Sequence, residues 1–216
     1  MVRVNEVESV RGRRVRIVLD NGDKYLLLRS AYQDRPLEVG EEVNPEEFAQ
    51  WVLKRQYRSA LDKAVAMLAA RACSKGEIEQ KLSRTGYSPE TIEMVIYKLE
   101  KNNLLNDQEF ADQWVQYRAG QKYGPRRISQ ELRRKGVSAE ETENALEEIS
   151  EEQQLENAVL LARKGLARAG AEDDFRKIRQ KVLAALVRRG YDWDTARQAV
   201  DRAAKELQIE DEADSW

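Results

Sequence analysis

The chain has 216 residues, 35% of them charged, yet its acidic and basic residues nearly balance to a net charge of −2. It has no histidine and one cysteine, Cys73, so it lacks the commonest general base and zinc ligand, and no disulfide can form within the chain. We therefore expect a cytoplasmic protein that is not an enzyme, with no catalytic residues, no cofactor and no metal site. The longest apolar run, 64–70, is too short for a membrane span, and the N-terminus lacks a signal-peptide core.

Charge is segregated along the chain. Residues 118–135 hold seven bases against one acid, residues 136–156 hold eight glutamates and no base, and residues 163–189 hold nine bases against three acids. A near-neutral chain with such blocks can present a basic surface to a polyanion and stay soluble. The nucleotide-binding motifs GxxxxGK[ST] and GxGxxG are absent, which argues against a phosphate-cradling enzyme.

Residues 1–43 have a β pattern. Asn21-Gly22 separates two β-prone segments, which indicates a hairpin with a two-residue turn. Residues 2–10 supply a third strand, and Asn44-Pro45 begins a helix. The pattern leaves open whether that helix runs unbroken to Ala72. The hairpin register places on one face Val15, Ile17, Leu26 and Leu28, and on the other Arg16 and Tyr25.

Three glycines, Gly86, Gly136 and Gly190, mark a repeat with spacings of 50 and 54 residues. A leucine lies four residues before each glycine, a β-branched residue lies eight before it, and a helix N-cap residue follows it by two. The pattern predicts a helix ended by a glycine, a short turn and a second helix. The positions are Leu82, Leu132 and Leu186; Ile78, Ile128 and Val182; and Ser88, Ser138 and Asp192.

A further helix precedes each of these pairs, predicted at 60–72, 107–119 and 152–169. The fold class is therefore mainly α, a tandem array of three three-helix repeats with a small β-rich N-terminal part. In such arrays each unit buries its apolar stripe partly against its neighbour. The predicted parts are 1–57 (hairpin-containing extension plus connecting helix), 58–105, 106–151 and 152–216, the last ending in an acidic tail at 210–216.

Basic residues recur on the helix before each glycine. On a helical wheel four arginines of the second repeat fill the solvent side, opposite Ile128 and Leu132. Cations near a helix C-terminus offset its dipole, but cations in the first turn do not, so Arg126 and Arg127 need another explanation. We predict a basic ridge that binds a polyanion or a protein partner. It comprises Arg84, Arg126, Arg127, Arg133, Arg134, Lys135, Lys181 and Arg188.

Two other interpretations of these helices remain. The ridge can be an ordinary solvated face. A helix–turn–helix that reads bases would need a polar or basic start to its second helix, but the second helices begin SPETIEMV, SAEETENA and DWDTARQA, which argues against base readout. Trp114 and Tyr117 are predicted to lie in the core or at an interface rather than to form a catalytic pair.

Residues 104–138, LLNDQEFADQWVQYRAGQKYGPRRISQELRRKGVS, closely resemble the central motif of the RecX family of bacterial regulators of the RecA recombinase. The resemblance covers about 58–207. Asn106 replaces the first aspartate of the family motif, and Cys73 stands where a basic residue is common. The matching residues are Asp107, Phe110, Ala111, Trp114, Arg118, Gly124, Arg127, Leu132, Lys135 and Gly136.

The resemblance implies a non-enzymatic modulator, most simply an inhibitor of RecA. It implies an elongated, curved array of helical repeats that binds in the groove of the RecA–DNA filament and restrains ATP hydrolysis, filament growth and strand exchange. An alternative from the residues themselves is a non-specific DNA-binding module that competes for single- or double-stranded DNA through the basic ridge.

Overall fold

The computed structural model describes residues 1–168 and 174–207 and contains a small sheet followed by helices. The strands are β1 Val2–Val10, β2 Arg14–Leu19, β3 Lys24–Leu28 and β4 Glu42–Val43. The helices are α1 Arg29–Gln33, α2 Pro45–Ala70, α3 Lys75–Thr85, α4 Pro89–Lys101, α5 Asp107–Gly120, α6 Pro125–Arg134, α7 Ala139–Glu147, α8 Glu151–Leu166, α9 Phe175–Arg188 and α10 Trp193–Glu206. The predicted mainly α fold with a β-rich start is confirmed. The acidic tail at 210–216 and the predicted helix end at Ala169 lie outside the described residues.

The sheet is antiparallel, with strand order β3-β2-β1-β4. The predicted hairpin exists, but its register differs by one residue, because Val15 pairs with Leu27 and Ile17 pairs with Tyr25. The predicted positions of Tyr25, Leu26 and Leu28 are therefore wrong. Val15, Ile17, Leu19 and Leu27 are buried, whereas Leu26 and Leu28 lie on the face of Arg14 and Arg16.

The register shift arises from the turn. Leu19 donates its amide to the carbonyl of Asp23 at 2.9 Å, and the amide of Gly22 donates to the carbonyl of Leu19 at 3.0 Å. The loop therefore has three residues, Asp20 to Gly22, rather than two. Gly22 takes the left-handed conformation, φ +91°, which is the usual way to close a three-residue hairpin.

Helix α2 is continuous over 26 residues, which answers the question that the sequence left open. Asn44 caps it by accepting from the amides of Glu46 and Glu47. Its first half buries Phe48 and Val52 in the core of the sheet. Its second half buries Ala60 and Ala64 in the core of the first repeat.

The three repeats have the predicted helix caps. Gly86, Gly136 and Gly190 have φ values of +100°, +83° and +102°, the left-handed conformation that ends a helix without steric cost only at glycine. The N-cap side chains accept from the backbone as predicted in each second helix: Ser88 from Thr91, Ser138 from Glu141 and Asp192 from Thr195.

Each repeat closes its own hydrophobic core. The buried residues form separate clusters in the β-rich part, in the first repeat, in the second and in the third. We expected neighbouring repeats to share an apolar stripe. The second and third repeats instead meet through a hydrogen-bonded junction, described below. Trp114 packs on the core of its repeat. Tyr117 is 58% exposed, so of the two predicted positions, core or interface, it does not take the core one. Val115 and Ala119 on the same helix are buried instead.

The chain divides into two compact units, Met1–Asn106 and Asp107–Trp216. The first contains the sheet and the first repeat, and the second contains the other two repeats. No helix in residues 1–168 or 174–207 combines the length and hydropathy needed to cross a bilayer.

Candidate functional site: a basic surface of the helical repeats

Helix α6 carries the central part of the basic ridge. Its inner edge is Ile128 and Leu132, both fully buried. Three of its arginines, Arg126, Arg133 and Arg134, are exposed. Because the inner edge is anchored in the core of the second repeat, these three guanidinium groups are held on the solvent side, as the helical wheel predicts.

The single acid of the basic stretch, Glu131, forms ion pairs with two arginines within the fold. Arg118 forms a bidentate ion pair with Glu131, with Nη2–Oε1 and Nε–Oε2 distances of 2.6 and 2.7 Å. Arg127 donates from Nε to Oε1 of the same carboxylate at 3.0 Å. Burial raises the pKa of the Glu131 carboxyl, but the hydrogen bonds from Arg118 and Arg127 outweigh it and hold the pKa below its ordinary value. Arg127 is therefore part of a structural ion-pair network.

Lys135 is also engaged within its repeat. Its Nζ lies 4.2 Å from the ring centroid of Trp114 and 5.5 Å from that of Phe110. Lys135 is half-buried, and its ammonium lies over aromatic faces that attract a cation. Its ammonium group thus lies over the aromatic pair, while Tyr117 stays exposed beside Trp114, with ring centroids 6.1 Å apart.

The second and third repeats meet at two glycines. The amide of Gly124 donates to the carbonyl of Arg189 at 3.0 Å, and the amide of Arg126 donates to the carbonyl of Gly190 at 3.1 Å. The C-terminal end of α9 therefore satisfies amides at the N-terminal end of α6, which would otherwise lack partners. The partial negative charge of the α9 carbonyls also offsets the cost of placing Arg126 and Arg127 in the first turn of α6.

The turn between α5 and α6 is fastened to the third repeat by side chains. Arg189 donates to the carbonyls of Lys122 and Gln121 at 2.7 and 2.6 Å, and the Tyr191 hydroxyl donates to the Lys122 carbonyl at 3.1 Å. Burial raises the pKa of Tyr191 to about 12, so its hydroxyl stays protonated as a donor. Reasoning from the sequence missed these contacts, although Arg189 and Tyr191 flank the repeat glycine.

Tyr123 completes this junction. Its ring centroid lies 3.8 Å from the guanidinium carbon of Arg118 and 4.3 Å from that of Arg189. Two cations contact one aromatic ring, one from each repeat. The Gly124–Gly190 junction, by which we mean Gln121–Gly124 with Arg189–Tyr191, is thus polar and hydrogen-bonded rather than an extension of the apolar cores.

The remaining ridge residues lie on α9 and α3. Lys181 and Arg188 are exposed on α9, and Arg188 lies two residues before the junction glycine. The junction brings the last turn of α9 to the first turn of α6. The amide of Arg126 bonds the carbonyl of Gly190, and Arg188 lies two residues before that glycine. Arg84 is exposed in the last turn of α3, in the first unit.

No ion pair to another residue in 1–168 or 174–207 engages the exposed ridge members of the second unit. These five, Arg126, Arg133, Arg134, Lys181 and Arg188, keep unneutralised charge at the surface, although Arg134 bonds the carbonyl of Gln130 in its own helix at 3.2 Å. Within the same described residues no group of three or more Cys, Asp or Glu side chains is placed to hold a metal ion.

Comparison with known proteins identifies the repeats. Models of the RecX family match at 60–99 for the first three-helix domain, 106–146 for the second and 151–200 for the third. A regulatory protein RecX of Prosthecochloris aestuarii is 39% identical over 145 residues, covering 67% of this chain and 93% of the relative. That of Amycolatopsis mediterranei is 34% identical, covering 73% and 90%.

A regulatory protein RecX of Listeria welshimeri is 35% identical over 159 residues, and here the chain spans only 58% of the relative's length. Among solved structures, a regulatory protein RecX has a TM-score of 0.64 at 25% identity, covering 93% of this chain and all of the other. The RecX of Lactobacillus salivarius has a TM-score of 0.63 at 26% identity, covering 72% and 98%. The chain belongs to the RecX family of regulatory proteins.

Proposed function

We propose that this protein is a modulator of the RecA recombinase, and specifically an inhibitor that binds in the groove of the RecA–DNA filament. There it restrains ATP hydrolysis, filament growth and strand exchange, without catalysis of its own and in the cytoplasm. The observation that carries the proposal is the set of five exposed, unneutralised ridge bases on α6 and α9, held on two repeats that hydrogen bonds join at the Gly124–Gly190 junction. Membership of the RecX family supports it.

The repeat construction suits a long partner. We assign the contacts to the three repeats, 58–105, 106–151 and 152–216, as bases spread over several helices rather than one deep site. Contacts distributed in this way are individually weak, and interface energy is then lost mainly when several are removed together. The exposed Tyr117, beside Trp114, supplies an aromatic anchor of the kind enriched in protein interfaces.

A second candidate function rests on the same exposed bases. Cations that no acid neutralises also bind DNA phosphates, releasing counterions and giving a salt-dependent affinity. In that case the protein would suppress RecA by occupying the DNA rather than by contacting the filament.

Titration of RecA with this protein distinguishes the two functions. ATP hydrolysis by RecA on single-stranded DNA is measured as this protein is added, in parallel with its binding to the same DNA without RecA. The filament-binding proposal expects suppression at protein concentrations well below those that saturate the DNA. Suppression only at saturation would establish competition for DNA, and undiminished hydrolysis at saturation would exclude both functions.

A further inference from the structure

The first unit carries a second concentration of positive charge, outside α6 and α9. The turn between β1 and β2 reads Arg11-Gly12-Arg13, and it lies beside the end of β3, where the amide of Arg29 donates to the carbonyl of Arg13 at 2.7 Å. The segments that meet there, 10–16, 24–32 and 80–88, contain eight bases and no acid. The basic turn cluster is defined as Arg11, Arg13, Arg14, Arg29 and Arg84.

Arg14 ties this turn to the first repeat. Its Nη1 donates to the carbonyl of Arg84 at 3.4 Å, in the last turn of α3. A Cβ on Gly86 would lie 2.9 Å from Cδ of Arg14 and 2.8 Å from Cδ2 of Leu26, so the glycine permits the close approach of the sheet to α3. This contact brings the arginines of the β1–β2 turn close to the ridge residue Arg84.

The other members of the cluster have no structural role for their charge. Arg11, Arg13, Arg29 and Arg84 are exposed, and none forms an ion pair with any residue in 1–168 or 174–207. By contrast, Arg16 on β2 forms ion pairs with Glu6 and Glu8. Arg13 also adopts a left-handed backbone, φ +57°, a conformation that costs free energy at most residues other than glycine and asparagine.

We propose that the basic turn cluster binds the phosphate backbone of duplex DNA without reading its sequence. Protein interfaces have apolar or aromatic anchors at their centres, but the exposed large apolar residues of the first unit (Met1, Val39, Val65, Met94, Tyr97 and Leu104) all lie outside the segments that form the cluster. Interfaces with DNA are more polar and more positively charged. Single-stranded binding uses exposed aromatic rings as stacking platforms, and these segments expose none.

The assignment does not rest on the proposed function, because the test contains no RecA and leaves Arg84 and the second unit unchanged. Binding of the full chain to a fluorescent duplex of arbitrary sequence is measured by anisotropy between 50 and 200 mM salt. The cluster variant is Arg11→Gln, Arg13→Asn and Arg29→Gln, in which asparagine tolerates the left-handed backbone of position 13. The matched control removes the same number of positive charges from α2 and α4. Its substitutions, all at exposed residues, are Lys54→Gln, Arg58→Gln and Lys98→Gln.

The cluster variant should weaken binding by at least about tenfold at 50 mM salt and reduce the slope of log affinity against log salt by about 3, one for each lost phosphate contact. The control should keep the slope of the unmodified protein. Equal losses in both variants would reduce the effect to net charge and overturn the assignment, as would absence of duplex binding by the unmodified protein at 50 mM salt. Duplex binding that is unchanged in the cluster variant would also overturn the assignment. If that variant nevertheless loses binding to polyglutamate, measured in parallel, the cluster binds an acidic protein instead.

Discussion

Gly124 and Gly190 lie so close that neither position has room for a side chain. A Cβ on Gly124 would come 2.3 Å from the carbonyl carbon of Gly190, and a Cβ on Gly190 would come 2.4 Å from Cβ of Arg127. These are backbone or near-backbone atoms that cannot rotate away. The two repeats of the second unit are thus joined by a contact that only glycine allows, and the positions of the exposed bases on α6 and α9 depend on it.

We therefore expect Gly124→Ala and Gly190→Ala each to lower the free energy of unfolding by about 2–3 kcal/mol, through overpacking and, at Gly190, a left-handed backbone. Thermal and denaturant unfolding followed by circular dichroism measure this. Gly120→Ala is the control, because a Cβ there meets nothing within 4 Å, and it should be neutral or slightly stabilising. Equal behaviour of all three variants would contradict the tight junction.

The Glu131 network predicts a pH dependence of stability. Because its folded-state pKa is lowered, its contribution is fully present above the unfolded-state pKa, about 4.3, and is lost as the pH falls through the folded-state value. Glu131→Gln should cost about 2 kcal/mol at pH 7, where it loses charged hydrogen bonds, and the difference from the unmodified protein should shrink below about pH 4.

Glu143 provides the control for that measurement, since it is an exposed glutamate on α7. Glu143→Gln should change stability by less than about 0.5 kcal/mol at any pH. A Glu131→Gln deficit that persists undiminished at low pH would mean that the loss is one of packing rather than of charge.

Charge reversal tests the exposed ridge without disturbing the Glu131 network. Arg126→Glu, Arg133→Glu and Arg134→Glu together should weaken inhibition of RecA ATP hydrolysis by at least about tenfold, because three like charges would then repel an acidic partner. The control reverses three exposed bases on or next to other helices of the unit, Lys164, Arg168 and Lys205. Inhibition should survive in the control, and equal loss in both proteins would refute the ridge as the contact surface.

Tyr117 is expected to be an anchor residue of the partner surface. Tyr117→Ala should weaken inhibition by about tenfold, because exposed aromatic residues that become buried on binding carry a large share of interface energy. Stability should change little, since the ring is 58% exposed. Gln113→Ala, one turn earlier on the exposed face of α5, is the matched control and should inhibit normally. If the two variants inhibited alike, Tyr117 would be an ordinary surface residue.

The buried Gln56 side chain gives a prediction for the first unit. It donates to the carbonyl of Leu26 at 3.0 Å and accepts from the amide of Ser88 at 2.8 Å and the hydroxyl of Thr91 at 3.2 Å. Gln56→Leu would remove all three of these hydrogen bonds at a largely buried position and should cost about 2–4 kcal/mol. Ser59→Ala, which removes a single hydroxyl contact with Tyr87, should cost about 1 kcal/mol. Comparable losses in denaturant unfolding would argue against a bridging role for Gln56.

The repeats could be predicted from sequence because their signals are local. A left-handed glycine, a capping Ser or Asp and a leucine four residues before the glycine each act within a few residues. The hairpin register could not be predicted, because Asp20-Asn21-Gly22 fits a three-residue turn as well as Asn21-Gly22 fits a two-residue one. The two-residue strand β4 carries no periodicity at all.

The candidate site was predictable only as a set of exposed bases. The wheel separates Arg126, Arg133 and Arg134 from the core side correctly, but it contains nothing about Arg118 or Trp114, which reach Glu131 from another helix. The involvement of Arg127 and Lys135 in their own repeat therefore depends on the packing of α5 against α6. The junction depends on residues 67–69 positions apart in the chain, beyond the range of any local pattern.

The unbroken course of α2 has a consequence for how the first unit folds. One rigid rod has its first half in the core of the sheet and its second half in the core of the first repeat, and Gln56 near its middle bonds to both. Loss of either core removes the support of half the helix, so the sheet and the first repeat should unfold as one cooperative block. Hydrogen exchange of the amides of β2 and α4 would then report a single opening free energy.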